Sequence, residues 1–245
     1  MIDNPTERTM TSILNEEQNC ATCSVKSSLF QTLSTEELYM INKNKTSVIY
    51  RKGEIIRKQG AVLTHVISIG DGMAKVYLEG QRSNNVLLDI LTPTAFVGGP
   101  GMFVNQVHHF TVSALTDCCV CFIRMEAFRE LLHSNPSFSD EYLKHLSQVT
   151  ISAYNRLINL TQKQMPGRLA DSLIYLAKEV FNSSAFKIPF SSRDLAEMSG
   201  MSRDNVVRNL KRFQQEGIIE KQKDMIEIRD YDALKAISRD KSTFI

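Results

Sequence analysis

The 245-residue sequence predicts an α+β protein with an N-terminal antiparallel β-roll, a long dimerisation helix and a C-terminal winged helix-turn-helix. Three observations predict this fold class. Short strand-like runs separated by glycines fill residues 47–123, and a heptad pattern of apolar residues covers residues 139–162. Two capped helices and two short strands then occupy residues 191–229. We therefore expect three regions, which span residues 1–135, 136–162 and 163–245.

The composition is that of a globular protein, since 42% of the residues are hydrophobic and the formal net charge is only +2. The charge is unevenly distributed. Residues 163–245 carry 15 Lys and Arg against 12 Asp and Glu, a net of +3, whereas residues 1–162 carry 14 against 15, a net of −1. The segment Arg203–Arg212 holds four cationic side chains and one acidic one. This local patch, and not the bulk charge, predicts contact with phosphates.

Cysteine usage and hydropathy indicate the compartment. Five cysteines, two of them adjacent, do not match a secreted disulfide framework and fit a reducing environment. No run approaches the roughly 18 apolar residues of a membrane span, and residues 1–19 are polar without a signal-type apolar core. We therefore expect a cytoplasmic protein with no membrane partner.

The amino-terminal region has the pattern of an antiparallel roll or sandwich. Eight of the 11 glycines lie between Gly53 and Gly101 and punctuate short alternating runs. The seven runs are SVIYRKG, EIIRKQG, HVISIGDG, MAKVYLEG, NVLLDILTP, FTVSAL and CVCFI. A helix capped at Ser34, with Glu37 at capping-box spacing, precedes them, and the helix in MEAFRELLHSNP follows and ends at Pro136.

A long helix is predicted over about Ser139–Gln162, where apolar residues recur at alternating steps of three and four. The seam consists of Leu143, Leu146, Thr150, Ala153, Leu157 and Leu160. About three heptads are close to the minimum for a coiled coil, and the alternative is a helix packed on its own domain. Met165-Pro166-Gly167 is expected to break the helix and form a hinge, after which the first helix of the next region begins.

The carboxyl-terminal region contains two short helices joined by a tight corner. Ser191 lies three residues before Asp194, a variant of the capping box. Gly200 supplies the permissive backbone of the corner, and Ser202 caps a second helix that starts near Arg203. This order predicts a helix-turn-helix.

The second helix is amphipathic, and two strands follow it. Its apolar face carries Val206, Leu210 and Phe213, and its polar face carries Asp204, Arg208, Lys211 and Arg212. The strands, Ile218–Lys221 and Met225–Arg229, flank the turn Gln222-Lys223-Asp224. A winged helix of this kind places its second helix in the DNA major groove, and paired half-sites require a two-fold partner, so we expect a homodimer on double-stranded DNA. The alternative is a helical hairpin with a solvated charged face.

In this order of elements the chain resembles the Crp/Fnr family of bacterial transcription regulators. The resemblance is specific in YRKGEIIRKQG, in FVGGPGMF and in SRDNVVRNLK. It assigns six DNA-binding residues, namely Ser202, Arg203, Asp204, Asn205, Arg208 and Lys211. Within this set it implies base contacts for Arg203, Asp204 and Arg208, with Asp204 in place of the usual Glu. It also implies an inverted-repeat operator with a G·C step in each half-site, and RNA polymerase as a protein partner.

The family's effector loop is altered in this sequence. Members that bind cyclic AMP carry a Glu in a G-E-x-G loop and a following Arg-Ser pair. Here the loop is Gly98-Gly99-Pro100-Gly101, and His108-His109 stand where the Arg-Ser pair would lie. We therefore expect an unknown small-molecule effector other than cyclic AMP. The candidate pocket residues are Gly98, Gly99, Gly101, His108 and His109. If the two histidines lie on a strand, only one of them faces the pocket.

The cysteines leave two alternatives open. Cys20, Cys23 and Cys121 match three ligands of the iron-sulfur cluster in the oxygen-sensing branch of the family, whereas Leu29 stands where a fourth Cys would lie. Cys118 and Cys119 are nearby substitutes. The same architecture therefore predicts, as an alternative, a redox or oxygen sensor that uses a cluster or reactive thiols.

A thiol-disulfide oxidoreductase is the second alternative, based on the CxxC at Cys20 and Cys23. The sequence around this CxxC shows no βαβ pattern of the redox fold. No P-loop, nucleophile elbow or metalloprotease motif is present either. We therefore expect a protein that is not an enzyme.

Overall fold

The computed structural model describes residues 19–81 and 84–239, and it divides into two compact units. One unit comprises the chain up to Val76 together with Ile90–Leu146, and the other comprises Tyr77–Asp89 and the chain from Ser147 onward. The polar stretch 1–18 lies outside the described residues, so the expectation that it lacks a signal sequence stays a prediction. Within the described ranges, no helix is both long enough and apolar enough to span a bilayer.

Eight strands in the amino-terminal half form two four-stranded sheets, with orders β1-β8-β3-β6 and β2-β7-β4-β5. The strands are β1 (Lys45–Tyr50), β2 (Ile55–Arg57), β3 (His65–Asp71), β4 (Ala74–Leu78), β5 (Val86–Leu91), β6 (Phe96–Val97), β7 (Thr111–Ala114) and β8 (Cys118–Arg124). β8 pairs antiparallel with both β1 and β3. All seven predicted runs contain a strand, and the predicted fold class is confirmed. The sequence did not reveal β6, because a two-residue strand is too short to show alternation.

Helices precede, interrupt and follow this β-roll. They are a 3₁₀ helix (Ser28–Thr32), α1 (Thr35–Lys43), α2 (Gly101–Val104) and α3 (Met125–Ser134). The predicted capping box of α1 is confirmed. The Glu37 backbone N–H donates to Ser34 Oγ at 3.3 Å, and the Ser34 N–H donates to Glu37 Oε2 at 2.7 Å. This exchange satisfies two backbone donors that a helix start leaves unpaired.

The long helix α4 spans Pro136–Gln162, three residues more than predicted at its amino end. Pro136 follows α3 and is also the first residue of α4. At this position the missing N–H of proline has no cost, because the first N–H groups of a helix have no intrahelical partner. The first turns of α4 bury Phe138 and Tyr142 in an aromatic core with Phe128 and Phe96. This core anchors the start of α4 on the first unit.

The predicted hinge is placed differently by the structure. α5 spans Met165–Tyr175, and its N-cap is Gln164, so the helix break lies at residues 163–164. Pro166 and Gly167 belong to the first turn of α5, where proline fits because the first N–H groups have no intrahelical partner. A Cβ on Gly167 would lie 3.2 Å from the Ile237 carbonyl oxygen. A bulky residue there therefore disturbs the packing of α5 and does not test hinge motion.

The rest of the second unit is a winged helix. A π-helical segment (Leu176–Val180) continues α5, and the elements that follow are β9 (Ala185–Lys187), α6 (Ser192–Ser199), α7 (Arg203–Gln215), β10 (Ile219–Gln222), β11 (Met225–Ile228) and α8 (Tyr231–Arg239). The wing is the antiparallel hairpin β10–β11, and β9, which the sequence did not reveal, pairs with β11. Ser191 and Asp194 form the expected capping box, and Gly200 ends α6 in the left-handed region at φ 58°. The corner therefore needs glycine for its backbone conformation.

Candidate functional site

The helix α7 is held so that its two faces have different environments. Ser202 Oγ accepts the Asn205 backbone N–H at 3.3 Å, which caps the first turn as predicted. Val206, Leu210 and Phe213 are at most 5% exposed and pack the helix on its unit. The interval of three and four residues between them fixes the rotation of α7 about its axis. The opposite face is therefore turned to solvent.

Five of the six predicted DNA-binding residues are exposed on α7 or at its cap, and Asn205 is partly buried. Among residues 19–81 and 84–239, neither Arg208 nor Lys211 has an acidic or hydrogen-bonding partner. Arg203 is oriented by a bond from its Nε to Ser192 Oγ at 2.9 Å, and Arg212 pairs with Glu216 at 2.7 Å. Unpaired guanidinium and ammonium groups on the exposed face of a helix are suited to base edges and phosphates.

The wing adds cations that the site prediction did not include. Lys221 and Lys223 are exposed on β10 and on the turn of the hairpin. The Lys221 ammonium donates to the Lys223 carbonyl oxygen at 2.8 Å, which holds it at the hairpin tip. Lys223 itself adopts φ 54°. The alternating pattern of the wing strands is a sequence signal that could have identified Lys221 and Lys223 as exposed. Only the fold shows that the hairpin lies beside α7.

The predicted effector loop is shaped by close packing. A Cβ on Gly98 would lie 2.6 Å from Met102 Cε, and one on Gly101 would lie 1.9 Å from the Val107 carbonyl oxygen. Gly99 adopts φ 86°, a conformation that side chains disfavour. Gly99 and Gly101 are therefore required by the backbone path itself, whether or not a ligand contacts their amides, whereas a Cβ on Gly98 would meet the end of the flexible Met102 side chain.

The two histidines have different environments, and neither lies on a strand. Both belong to the loop between α2 and β7. His109 is exposed and its Nε2 lies 3.0 Å from Asn105 Oδ1. His108 is 2% exposed, and within the described part of the chain neither of its ring nitrogens has a hydrogen-bond partner. Buried polar groups without a partner are rare, so His108 is the stronger candidate for contact with a ligand.

Arg57 is a candidate that the sequence did not indicate. Its guanidinium stacks over the Phe122 ring at 4.1 Å, and Nη1 donates to the Ile56 carbonyl oxygen at 2.9 Å. Within the described ranges no carboxylate pairs with it. The loop after β2 is bonded to the His108 backbone, since Gly60 N–H donates to the His108 carbonyl at 2.8 Å. A cation and an unsatisfied imidazole thus lie in one region of the β-roll.

His108 makes the stability of the protein depend on pH. Burial, with a smaller contribution from the charge of Arg57, lowers the pKa of His108 to about 4. The unfolded chain binds this proton near pH 6.5. The stability that neutral His108 provides is therefore complete above pH 6.5 and is lost as the pH falls toward 4. Between pH 7 and pH 5 we expect a loss of about 2 kcal/mol in the free energy of unfolding from this group.

Urea unfolding followed by circular dichroism at the two pH values measures this loss. In His108→Leu the dependence on pH should be smaller by about the same amount, and His109→Leu, which changes an exposed imidazole, should behave as the unmodified protein does. An identical pH dependence in all three proteins would show that His108 is not protonated on unfolding.

The cysteines do not fit a four-thiolate cluster site. In the described ranges, no three Cys, His, Asp or Glu side chains are grouped so that they can hold a metal ion. Leu29, at the position of the missing ligand, is 4% exposed in the apolar core. Burial, with smaller contributions from nearby carboxylates, raises the pKa of Cys118 to about 11, and burial is also the main cause that raises the pKa of Cys20. Both shifts disfavour the thiolate that binds metals and attacks disulfides. Cys121 Sγ lies 3.4 Å from Ser47 Oγ.

Comparisons with known proteins match both halves of the chain. Residues 47–135 match the model of a cyclic nucleotide-binding domain, and residues 167–237 match the model of a Crp-like helix-turn-helix domain. The transcriptional activator protein FnrA of Stutzerimonas stutzeri is 24% identical over 192 residues, which are 77% of this chain and 78% of FnrA. The anaerobic regulatory protein of Haemophilus influenzae is 24% identical over 222 residues, 88% of this chain and 86% of that protein.

Solved structures show the same fold. FixK2 from Bradyrhizobium japonicum superposes with a TM-score of 0.74 at 17% identity, and the match covers 80% of this chain and 98% of FixK2. The name of FnrA describes a transcriptional activator, and that of the Haemophilus influenzae protein describes an anaerobic regulatory protein. The elements that carry the candidate DNA contacts, α6, α7 and the wing, all lie within the matched residues 167–237.

Proposed function

The chain belongs to the Crp/Fnr family of DNA-binding transcription regulators, and from this premise we propose that it binds an inverted-repeat operator as a homodimer through α7. One observation carries the proposal. The amino-terminal half of α7 presents Arg203, Asp204 and Arg208 to solvent, while its opposite face is buried. We assign the two arginines to guanine O6 and N7 and Asp204 to a cytosine amino group. Ser202, Asn205 and Lys211 are assigned to the phosphate backbone.

The exposed side of α4 supports the dimer. Leu143, Tyr154 and Leu157 are 59%, 62% and 61% exposed in the single chain. Apolar side chains that recur along one face of a long helix and remain exposed are typical of a helix that packs on a second copy of itself. A dimer with a two-fold axis beside α4 has two α7 helices, one for each half-site of an inverted repeat, and the centres of such half-sites are about 34 Å apart, one turn of B-DNA.

The operator is identified by selection from a randomised duplex library with the full chain. We expect enrichment of an inverted repeat with G·C pairs in each half-site, and binding that weakens steeply as salt rises. A library without an enriched symmetric sequence, at salt concentrations where the protein still retains DNA, would contradict this function.

We further propose that the amino-terminal β-roll binds a small anionic effector at His108 and Arg57. A buried imidazole can donate one hydrogen bond, and the guanidinium supplies the charge that the altered loop lacks. The expected effector is not cyclic AMP, because the Glu and the Arg-Ser pair of the family's clamp are absent from the sequence.

Two measurements test this assignment. Titration calorimetry with cyclic AMP should give no saturable heat. Inorganic phosphate should raise the unfolding temperature of the unmodified protein but not that of Arg57→Gln. Saturable heat with cyclic AMP, or an equal effect of phosphate on the unmodified protein and on Arg57→Gln, would contradict this assignment.

A contact with RNA polymerase is part of the same proposal. It is supported by FnrA, whose name describes a transcriptional activator. In vitro transcription from a promoter that carries the selected operator distinguishes an activator from a repressor.

A further inference from the structure

A groove of about 460 Å³ lies between the recognition helix α7 and the wing. It is formed by α7, the wing, the segment before α6 and the first turns of α6, all within the second unit. Its volume falls in the range of roughly 300–1,000 Å³ that is typical of small-molecule sites. Neither the DNA contacts nor the effector site proposed above uses its interior.

The floor of the groove is apolar. Six side chains form it, namely Ile188, Phe190, Leu195, Val207, Leu210 and Ile226. Val207 lines the groove and is 51% exposed, whereas Leu210, which is three residues further along α7, is buried. An apolar surface of this kind gains free energy when an apolar molecule displaces its water. The sugar-phosphate backbone of DNA is polar and charged and does not supply such a surface.

The rim of the groove is positively charged. Lys211, Lys221 and Lys223 contribute three ammonium groups, and the carboxylate that lines the groove, Asp224, lies 3.2 Å from the ammonium of Lys187. This ion pair partly offsets the negative charge of Asp224 at the rim. An apolar interior below a cationic edge is complementary to a molecule with an apolar body and one anionic group.

We propose that this groove binds a small amphipathic anion, an apolar body with one carboxylate or sulfonate, and that the bound molecule competes with DNA. The competition follows from position, because Lys211 and the wing face the same side as the base-contacting residues of α7. An occupied groove places one negative charge among the three lysines and so lowers the positive charge that this surface offers to DNA. Binding of the anion to the groove does not rest on the proposed DNA-binding function, whereas its competition with operator DNA does.

The test uses 8-anilinonaphthalene-1-sulfonate with the full chain, and N-phenyl-1-naphthylamine as the same ring system without the sulfonate. We expect saturable fluorescence enhancement by the sulfonate. The double variant Lys221→Met/Lys223→Met should weaken the sulfonate roughly 10-fold, because each exposed ion pair contributes up to about 1 kcal/mol, and should leave the uncharged probe unchanged. Val207→Glu should abolish both signals, since it places a carboxylate over the apolar floor.

A matched control removes two lysines elsewhere in the same unit. Lys178 and Lys235 lie 5.6 Å and 4.8 Å from the centre of the Tyr231 ring, outside the groove. The variant Lys178→Met/Lys235→Met changes the net charge equally and should bind the sulfonate as the unmodified protein does. Circular dichroism confirms that each variant is folded. Equal affinity in both double variants, or a signal that survives Val207→Glu, would show that the groove is a solvated gap and overturn the proposal.

The competition is tested separately by adding the selected operator to the protein with bound probe. Displacement of the sulfonate at operator saturation supports the proposal. If the operator is fully bound and the sulfonate still binds in a way that Lys221→Met/Lys223→Met weakens, the two ligands do not compete and this part of the proposal is wrong. Failure to find any operator would instead contradict the proposed function and leave the probe measurements valid.

Discussion

Arg208→Ala is expected to weaken operator binding by about 2–6 kcal/mol, or roughly 30-fold to 10⁴-fold. A bidentate arginine–guanine contact contributes about 1–3 kcal/mol, and the dimer loses one contact in each half-site. The side chain is exposed and, in the described part of the chain, unpaired, so its removal should not change the stability of the fold. Fluorescence anisotropy at one fixed salt concentration measures the affinity.

Two comparisons identify the cause of the loss. Lys211→Ala should weaken all duplexes nearly equally and lower the salt dependence, as expected for a phosphate contact. Arg239→Ala changes an exposed arginine on α8 and should leave affinity unchanged. In Arg208→Ala the preference for G·C over A·T in the half-site should also disappear. An Arg208→Ala protein with the original affinity and preference would show that α7 does not contact bases as assigned.

Leu157→Asp is expected to convert the dimer into monomers and to reduce operator affinity by more than 100-fold. The substitution places one carboxylate from each copy in the apolar seam, where burial of a charge without a partner costs free energy. A monomer contacts only one half-site and loses the second set of contacts. Leu157 is 61% exposed in the single chain, so the chain itself should still fold.

Sedimentation velocity measures the oligomeric state, and anisotropy measures DNA binding. Asn155→Asp is the matched control, because residue 155 is exposed on the opposite side of α4 from the seam and receives the same charge. A dimeric Leu157→Asp protein would contradict the proposed interface. A monomeric one that still binds the full operator tightly would contradict the need for two half-sites.

The recognition helix shows how far local pattern carries a prediction. The cap at Ser202, the start at Arg203 and the buried row Val206, Leu210 and Phe213 all follow from interactions within four residues of each other. The same holds for Ser34 with Glu37 and for Ser191 with Asp194. Such features are decided by short-range chemistry, and each of these predictions is confirmed.

The hinge and the histidine pair show where local pattern fails. Met165-Pro166-Gly167 suggests a broken helix, but proline and glycine are tolerated in the first turn of a helix. The Ile237 carbonyl oxygen that a Cβ on Gly167 would approach belongs to a distant part of the chain, so no local pattern reveals it. The sequence also did not decide which of His108 and His109 faces the interior. Both lie in a loop, and long-range packing buries His108 and exposes His109.

The sequence alone determined the fold class, the order of the longer strands and helices and the cationic face of α7, because helix caps, turn residues and hydrophobic periodicity act between residues that are close in the chain. The tertiary structure alone decided that His108 lies unsatisfied near Arg57 and that α7 and the wing enclose a cationic groove. These arrangements bring together residues from separate elements. Their contacts depend on how whole strands and helices pack, and no local pattern of residues encodes that packing.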